Sequence, residues 1–188
     1  MNNKENSYKG KIITVPNLLS LFRILLIPII VLLYCVEKKY ELTILVLLIS
    51  GASDIIDGFI ARRFNMVSDI GKALDPIADK LTQGVTLICL LIDFPRLAIL
   101  LFGLLVKEFL LGIMELYSIK KTGVVHGANW HGKLTTCMIY ATLFVHIWWH
   151  DISEVVSFGF IAIIFMIMCM SFVMYYVQKK KYMKENMK

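Results

Sequence analysis

Long apolar runs cover most of the chain, and only short polar segments separate them. An α-helix needs about 20 mostly apolar residues to cross the hydrocarbon core of a bilayer. The runs that reach or approach this length predict six transmembrane helices and leave no room for a separate soluble domain. The predicted helices are Leu18–Val36, Leu42–Ala61, Ala73–Ile92, Leu97–Tyr117, Leu134–Trp149 and Val155–Val177.

The composition agrees with this pattern, since 58% of the residues are hydrophobic and the mean hydropathy is +0.71. A soluble domain of this length is less apolar. We therefore predict an all-α integral membrane protein with an N-terminal arm at 1–17, one six-helix domain at 18–177 and a basic tail at 178–188. We expect the first run to be retained, because it is longer than the apolar part of a signal peptide and no small-residue cleavage pattern follows it.

Basic residues concentrate in the N-terminal arm, in the loops after the second and fourth helices, and in the tail. This bias predicts that both termini and the loop after the second helix lie in the cytoplasm. The net charge of +6 is then explained by topology and by attraction to anionic lipids. No base-reading motif accompanies it, so nucleic acid is not an expected partner. The four cysteines lie singly in different predicted helices, a pattern that favours neither zinc nor a disulfide framework.

Four aspartates interrupt the second and third apolar runs: Asp54 and Asp57 in one, Asp75 and Asp79 in the other. Inserting a carboxylate at the centre of a bilayer costs roughly 2.5–3.5 kcal/mol of free energy, so acidic residues in a transmembrane helix usually have a functional role. Spacings of three and four place each pair on one helix face, and the short link makes the two helices antiparallel neighbours. Carboxylates gathered in one small space require cations between them. Two Mg²⁺ or Mn²⁺ ions fit an all-oxygen ligand set.

Small and basic residues share these two faces. Gly58 and Gly71 have no Cβ, so a ligand or the other backbone can approach closely. Arg62 lies one turn beyond Gly58 and can reach a phosphate oxygen. Acidic, glycine and arginine positions in this register indicate a site for a nucleotide diphosphate. The structural alternative is that the aspartates cap helices or form ion pairs. Asp69 lies off both faces, and we assign it the role of a solvated residue or a helix cap. Arg23 and Lys80, which lie inside helices, are expected to snorkel or to pair with acids.

Written out, the stretch is Asp54-xx-Asp57-Gly58-xx-Ala61-Arg62-x8-Gly71-xxx-Asp75-xxx-Asp79. It resembles the signature of the CDP-alcohol phosphatidyltransferase family, and the resemblance extends to the six-helix layout. The resemblance implies an enzyme that displaces CMP from a CDP-linked donor with an alcohol acceptor. It further implies that the four aspartates ligate two metal ions and that Asp79 also acts as the general base. The residues that it places at the CDP-diacylglycerol site are Asp57, Gly58, Ala61, Arg62, Ser68 and Gly71.

The flanking segments "VPNLLSLFRILLIPIIV" (15–31), "LDPIADK" (74–80) and "GANWHGKLTT" (127–136) are similar to the glycerophosphate phosphatidyltransferase branch of the family. That resemblance implies sn-glycerol 3-phosphate as the acceptor, membrane lipids as surroundings and a homodimer. It assigns the acceptor phosphate to Lys107 and Lys133. The chain departs from the branch at three places: Ser20 stands for a usual Thr, Lys107 for the Arg of an Arg-Glu pair, and Lys133 is the only one of two usual lysines.

Other functions remain as alternatives. The presence of a single lysine near the start of the fifth helix is also similar to the pattern of cardiolipin synthases, whose acceptor is phosphatidylglycerol. Another polar alcohol, such as inositol phosphate, is a further candidate acceptor. An ion transporter is the alternative from a different class, but it would need acidic residues near the midplane and broken helices. A catalytically inactive scaffold is disfavoured because all four aspartates are present.

Overall fold

The computed structural model describes residues 14–64, 69–122 and 130–185, and these residues form six α-helices and no strand. A π-helix, Leu32–Val36, extends the first helix, and a 3-10 turn, Pro95–Leu97, precedes the fourth. The prediction of an all-α membrane fold is confirmed. The helices are α1 (Val15–Val31), α2 (Tyr40–Arg63), α3 (Asp69–Leu90), α4 (Ala98–Thr122), α5 (Trp130–Trp148) and α6 (Glu154–Glu185).

Local signals explain where several helices begin and end. The Thr14 hydroxyl accepts a hydrogen bond from the backbone N–H of Asn17 and so caps α1. Lys38 has a φ of 53° and reverses the chain between the π-helix and α2. α3 begins at Asp69, four residues before the predicted start at Ala73. The apolar run did not include this first turn because the turn contains charged residues. α6 continues to Glu185, well into the segment that we predicted as a separate tail.

Four stretches within the described residues are long and apolar enough to cross a membrane: Val15–Val36, Tyr40–Ala61, Pro95–Tyr117 and Glu154–Lys180. Leu134–Trp148 in α5 is a shorter apolar helix. The remaining helix, α3, carries the second aspartate pair along one face, which lowers its mean hydropathy. The multi-pass membrane character agrees with the sequence prediction.

The surface of the fold is far more apolar than that of a soluble protein. Large apolar side chains such as Leu25, Phe59 and Phe109 are exposed, whereas many hydroxyl side chains are buried. Several buried hydroxyls donate to the carbonyl four residues earlier, as Thr82 does to Ala78 at 2.9 Å. Such bonds satisfy polar groups without water. An apolar surface, with hydroxyl groups buried among apolar side chains, suits a protein that is surrounded by lipid.

The chain divides into two compact units, Met1–Cys89 and Leu90–Lys188. In the first unit, α1 packs against α2, and the polar face of α3 belongs to the same unit. In the second unit, α6 packs against both α4 and α5. All four aspartates of the predicted site therefore lie in the first unit, and both predicted acceptor lysines lie in the second.

Candidate active site

Three aspartates from two helices surround one arginine from a third. Arg23 of α1 forms ion pairs with Asp54 and Asp57 of α2 and with Asp75 of α3, the last through Nη2 and Oδ1 at 2.7 Å. The Arg23 side chain is 1% exposed. Pairing of Arg23 with acids was expected from the sequence, but its position among the predicted metal ligands was not. The structure thus brings three of the four predicted ligands together around a buried cation.

Helix geometry explains how the carboxylates meet. Asp54 and Asp57 are separated by one turn of α2, so both side chains lie on one face, and Asp75 approaches from the N-terminal part of α3. Asp57 is 3% exposed, whereas Asp54 and Asp75 are nearly half exposed. The cluster therefore has a buried floor formed by Asp57 and an accessible side formed by the other two.

The donor set fits a hard divalent cation. One carboxylate oxygen from each of Asp54, Asp57 and Asp75 lies within 4.8 Å of the others. Ligand oxygens of one octahedral Mg²⁺ are about 3 Å apart when adjacent and about 4 Å apart when opposite, since each lies roughly 2.1 Å from the ion. The 4.8 Å limit of the cluster is slightly larger than this range. Oxygen-only ligands of this kind select Mg²⁺ or Mn²⁺ over softer metals.

Asp79 lies one turn beyond Asp75 on α3 and is not part of this three-carboxylate group. Its two carboxylate oxygens accept hydrogen bonds from Nε2 of Gln83, at 3.0 and 3.1 Å. Gln83 is fully buried, and its Oε1 has no hydrogen-bond partner among the described residues. Gln83 was not predicted from the sequence, although it continues the same four-residue spacing as Gly71, Asp75 and Asp79. A buried amide thus fixes the orientation of the carboxylate predicted to be the base.

The predicted donor-site residues are only partly described. Gly58, Ala61 and Gly71 are half buried on α2 and α3. Ser68 lies outside the described residues, and so does the side chain of Arg62. The structure therefore places the small residues of this predicted set in the same unit as the aspartates and leaves the polar contacts to the donor as predictions.

The two predicted acceptor lysines belong to the second unit. Lys107 of α4 is 6% exposed and forms an ion pair with Glu108 at 3.4 Å. It borders a cavity of about 350 Å³ between α4 and α6 whose other lining residues are apolar or small, including Phe102, Leu110 and Phe172. The side chain of Lys133 lies outside the described residues. A buried cation beside an apolar cavity is an arrangement that our sequence analysis did not predict.

Comparison with known proteins gives one family for this chain. A sequence model described as CDP-alcohol phosphatidyltransferase matches residues 13–175. A CDP-diacylglycerol–glycerol-3-phosphate 3-phosphatidyltransferase of Rickettsia typhi is 38% identical over 112 residues, which are 58% of this chain and 63% of the relative. The enzyme of the same name from Aquifex aeolicus is 35% identical over 131 residues, 69% of this chain and 72% of the relative. The match to the Rickettsia relative thus spans less than two thirds of that protein's length.

Proposed function

This chain belongs to the CDP-alcohol phosphatidyltransferase family, and from this premise we propose that it transfers a phosphatidyl group from CDP-diacylglycerol to sn-glycerol 3-phosphate. The products are phosphatidylglycerol phosphate and CMP, and the enzyme serves phospholipid biosynthesis. The observation that carries the proposal is the convergence of Asp54, Asp57 and Asp75 around one buried position. The names of the similar proteins from Rickettsia and Aquifex support the choice of acceptor.

The four aspartates would hold two Mg²⁺ or Mn²⁺ ions: Asp54, Asp57 and Asp75 from the described cluster, and Asp79 from the next turn of α3. Bound ions of this kind neutralise the diphosphate of the donor and the charge that develops on the leaving CMP. The clustered oxygens and the use of divalent metal by the family support this assignment.

In the reaction, the hydroxyl oxygen of the acceptor forms a bond to the phosphorus that carries diacylglycerol. The bond between that phosphorus and the bridging oxygen of CMP breaks, and CMP leaves with its electron pair. Asp79 accepts the proton of the hydroxyl as general base. The two hydrogen bonds from Gln83 hold the Asp79 carboxylate in one orientation, which reduces the reorganisation required at the moment of proton transfer.

The donor binds beside the aspartates. Gly58, Ala61 and Gly71 are small residues on α2 and α3, and they leave room for the nucleotide next to the backbone. Arg62 and Ser68 would contact the donor phosphates, as the family resemblance implies. The acyl chains of the donor remain in the bilayer while its diphosphate reaches the half-exposed side of the cluster.

Lys107 and Lys133 would bind the phosphate of the acceptor. One observation favours a second candidate, transfer to phosphatidylglycerol: the buried Lys107 borders an apolar cavity of about 350 Å³, which suits an acyl chain better than the polar glycerol 3-phosphate. The deciding experiment incubates the purified protein with CDP-diacylglycerol, Mg²⁺ and one acceptor at a time, and measures CMP release. We expect release with glycerol 3-phosphate. Release only with phosphatidylglycerol would replace the first candidate by the second, and no release with any acceptor would refute phosphatidyl transfer.

We also propose that both termini and the aspartate cluster face the cytoplasm and that the enzyme is a homodimer. The distribution of basic residues supports the orientation, and the family resemblance supports the dimer. A C-terminal reporter that is active only in the cytoplasm tests the first proposal. Light scattering of the protein in detergent, with the detergent mass subtracted, tests the second.

A further inference from the structure

Arg23 is an arginine buried at the centre of a cluster of acids. Its Nη1 donates to Asp54, and its Nη2 donates to both Asp57 and Asp75. Its Nε has no hydrogen-bond partner among the described residues. An arginine that is 1% exposed in a membrane-spanning helix is costly unless acids compensate its charge. All of its ion-pair partners in the described part of the chain come from the proposed metal site.

Among the described side chains of this cluster, the charges do not balance. Three carboxylates face one guanidinium, so two negative charges remain when all the acids are ionised. Two of the three carboxylates are also nearly half exposed, which opens the cluster to solvent on one side. The guanidinium therefore reduces the repulsion between the carboxylates without removing it. The remaining charge equals that of one divalent cation.

We propose that Arg23 is an internal counter-cation that competes with divalent ions for Asp54, Asp57 and Asp75. The N–H groups on Nη1 and Nη2 occupy lone-pair directions on one oxygen of each carboxylate, and an ion would use the same oxygens. A divalent ion close to the guanidinium is also repelled, because both carry positive charge and the burial of Arg23 limits screening by water. Without an ion, Arg23 holds α1, α2 and α3 together; with an ion, its contacts weaken. This inference rests on the proposed function, which makes the cluster the metal centre.

Competition of this kind has a consequence for the order of binding. The diphosphate of a CDP-linked donor brings negative charge, which offsets the repulsion between the guanidinium and the ion. The ion and the donor are therefore expected to strengthen each other's binding, as linkage requires. The cluster would bind the ion weakly alone and tightly in the presence of the donor.

The test replaces the charge of Arg23 and measures Mn²⁺ binding by the loss of the free-ion electron paramagnetic resonance signal. In the full-length protein in detergent, we expect Arg23→Gln to bind Mn²⁺ more tightly by on the order of tenfold, because one repelling charge is gone. We also expect a lower melting temperature in EDTA and a larger rise on addition of Mg²⁺ than in the unmodified protein. Arg23→Lys keeps the charge but loses the forked contact, so we expect an intermediate affinity.

The matched control is Arg96→Gln, since Arg96 pairs with the single exposed acid Glu154, and it should leave Mn²⁺ binding unchanged. Weaker or equal Mn²⁺ binding by Arg23→Gln would overturn the proposal, because Arg23 would then organise the ligands rather than compete. Recovery of a folded Arg23→Gln protein only in the presence of Mn²⁺ would support it. If that variant does not fold under either condition, the Arg23→Lys protein decides: tighter binding than in the unmodified protein supports competition, and weaker or equal binding overturns it. No Mn²⁺ binding by any of these proteins would instead count against the metal-dependent function itself.

Discussion

In each of the two units, the described residues include a buried cation that pairs with carboxylates of other helices, Arg23 in the first and Lys179 in the second, and the two clusters differ in charge. In the first unit, Arg23 faces three carboxylates. In the second unit, Lys179 of α6 faces one, Glu115 of α4, and is 5% exposed. The hydroxyl of Tyr175 donates to the same carboxylate oxygen at 2.7 Å, and the lysine Nζ lies 5.3 Å from the centre of the Tyr175 ring.

This difference separates a structural cluster from a binding cluster. The Glu115–Lys179 pair has no net charge, and two groups already donate to its carboxylate. The pair joins α4 to α6, and its charge balance gives no reason to expect a bound cation. The Arg23 cluster has an excess of negative charge and an exposed side. Repulsion between the carboxylates is relieved when a cation binds or when a carboxyl group takes up a proton. The first cluster is therefore expected to respond to metal ions, and the second is not.

The largest expected effect is on turnover and comes from the first unit. We expect Asp79→Asn to lower the rate of CMP release by ~10²–10⁴-fold, because an amide cannot accept the proton of the acceptor. Binding of CDP-diacylglycerol should be partly retained. Glu115→Gln is the matched variant in the second unit and should keep its rate of CMP release. Equal rates for Asp79→Asn and the unmodified protein would remove Asp79 as the base.

Next in size is the loss of the response to metal in Asp54→Asn. Removing one of the excess negative charges should leave the protein at least as stable in EDTA, since repulsion within the cluster falls. The rise in melting temperature on addition of Mg²⁺ should disappear, since a ligand is gone. Thermal unfolding in EDTA and in Mg²⁺ gives both results. A marked loss of stability in EDTA with an unchanged response to Mg²⁺ would assign Asp54 a purely structural role.

The Glu115→Gln variant should show the opposite pattern. It leaves Lys179 buried without a charged partner, and breaking a buried ion pair in this way costs about 3 kcal/mol. We expect the free energy of unfolding to fall by the same amount in EDTA and in Mg²⁺. The measurement is reversible unfolding in mixed micelles. A loss that Mg²⁺ restores would mean that the second cluster also responds to metal, and the contrast between the units would fail.

The smallest expected effect concerns the packing of α4 on α6 in the second unit. A Cβ at Gly103 would collide with the end of Met168 and approach the ring of Phe165. We expect Gly103→Ala to lower the free energy of unfolding by about 1 kcal/mol, because the flexible methionine absorbs part of the strain. At Gly112 on the same helix, nothing lies within 4 Å of the position that a Cβ would take, so Gly112→Ala should be neutral or stabilising by ~0.5–1 kcal/mol. Equal changes in the free energy of unfolding at both positions would show that contacts with α6 do not determine the effect of the added methyl group.

The helices and the aspartate motif could be predicted from the sequence because both depend on local spacing. Apolar runs give the spans, and intervals of three and four residues place Asp54 with Asp57 and Asp75 with Asp79. The cluster around Arg23 depends instead on how α1 packs against α2, and the spacing of residues within one helix gives no information on that packing. The burial of Lys179 was not predicted for the same reason. A run of lysines is typical of a solvated tail, and only the packing of α6 against α4 brings Lys179 to Glu115. Gln83 continues the four-residue spacing of Asp75 and Asp79, but an uncharged amide within an apolar helix gave no reason to predict that it belongs to the site.

Anomalous scattering from Mn²⁺ tests the central claim most directly. Crystals of the protein grown with Mn²⁺ and CDP-diacylglycerol should show an anomalous peak at bonding distance from carboxylate oxygens of Asp54, Asp57 and Asp75. The Asp54→Asn protein, treated in the same way, should show that peak weakened or lost. A Mn²⁺ peak elsewhere in the molecule, or none at this cluster in protein that still releases CMP, would contradict the account.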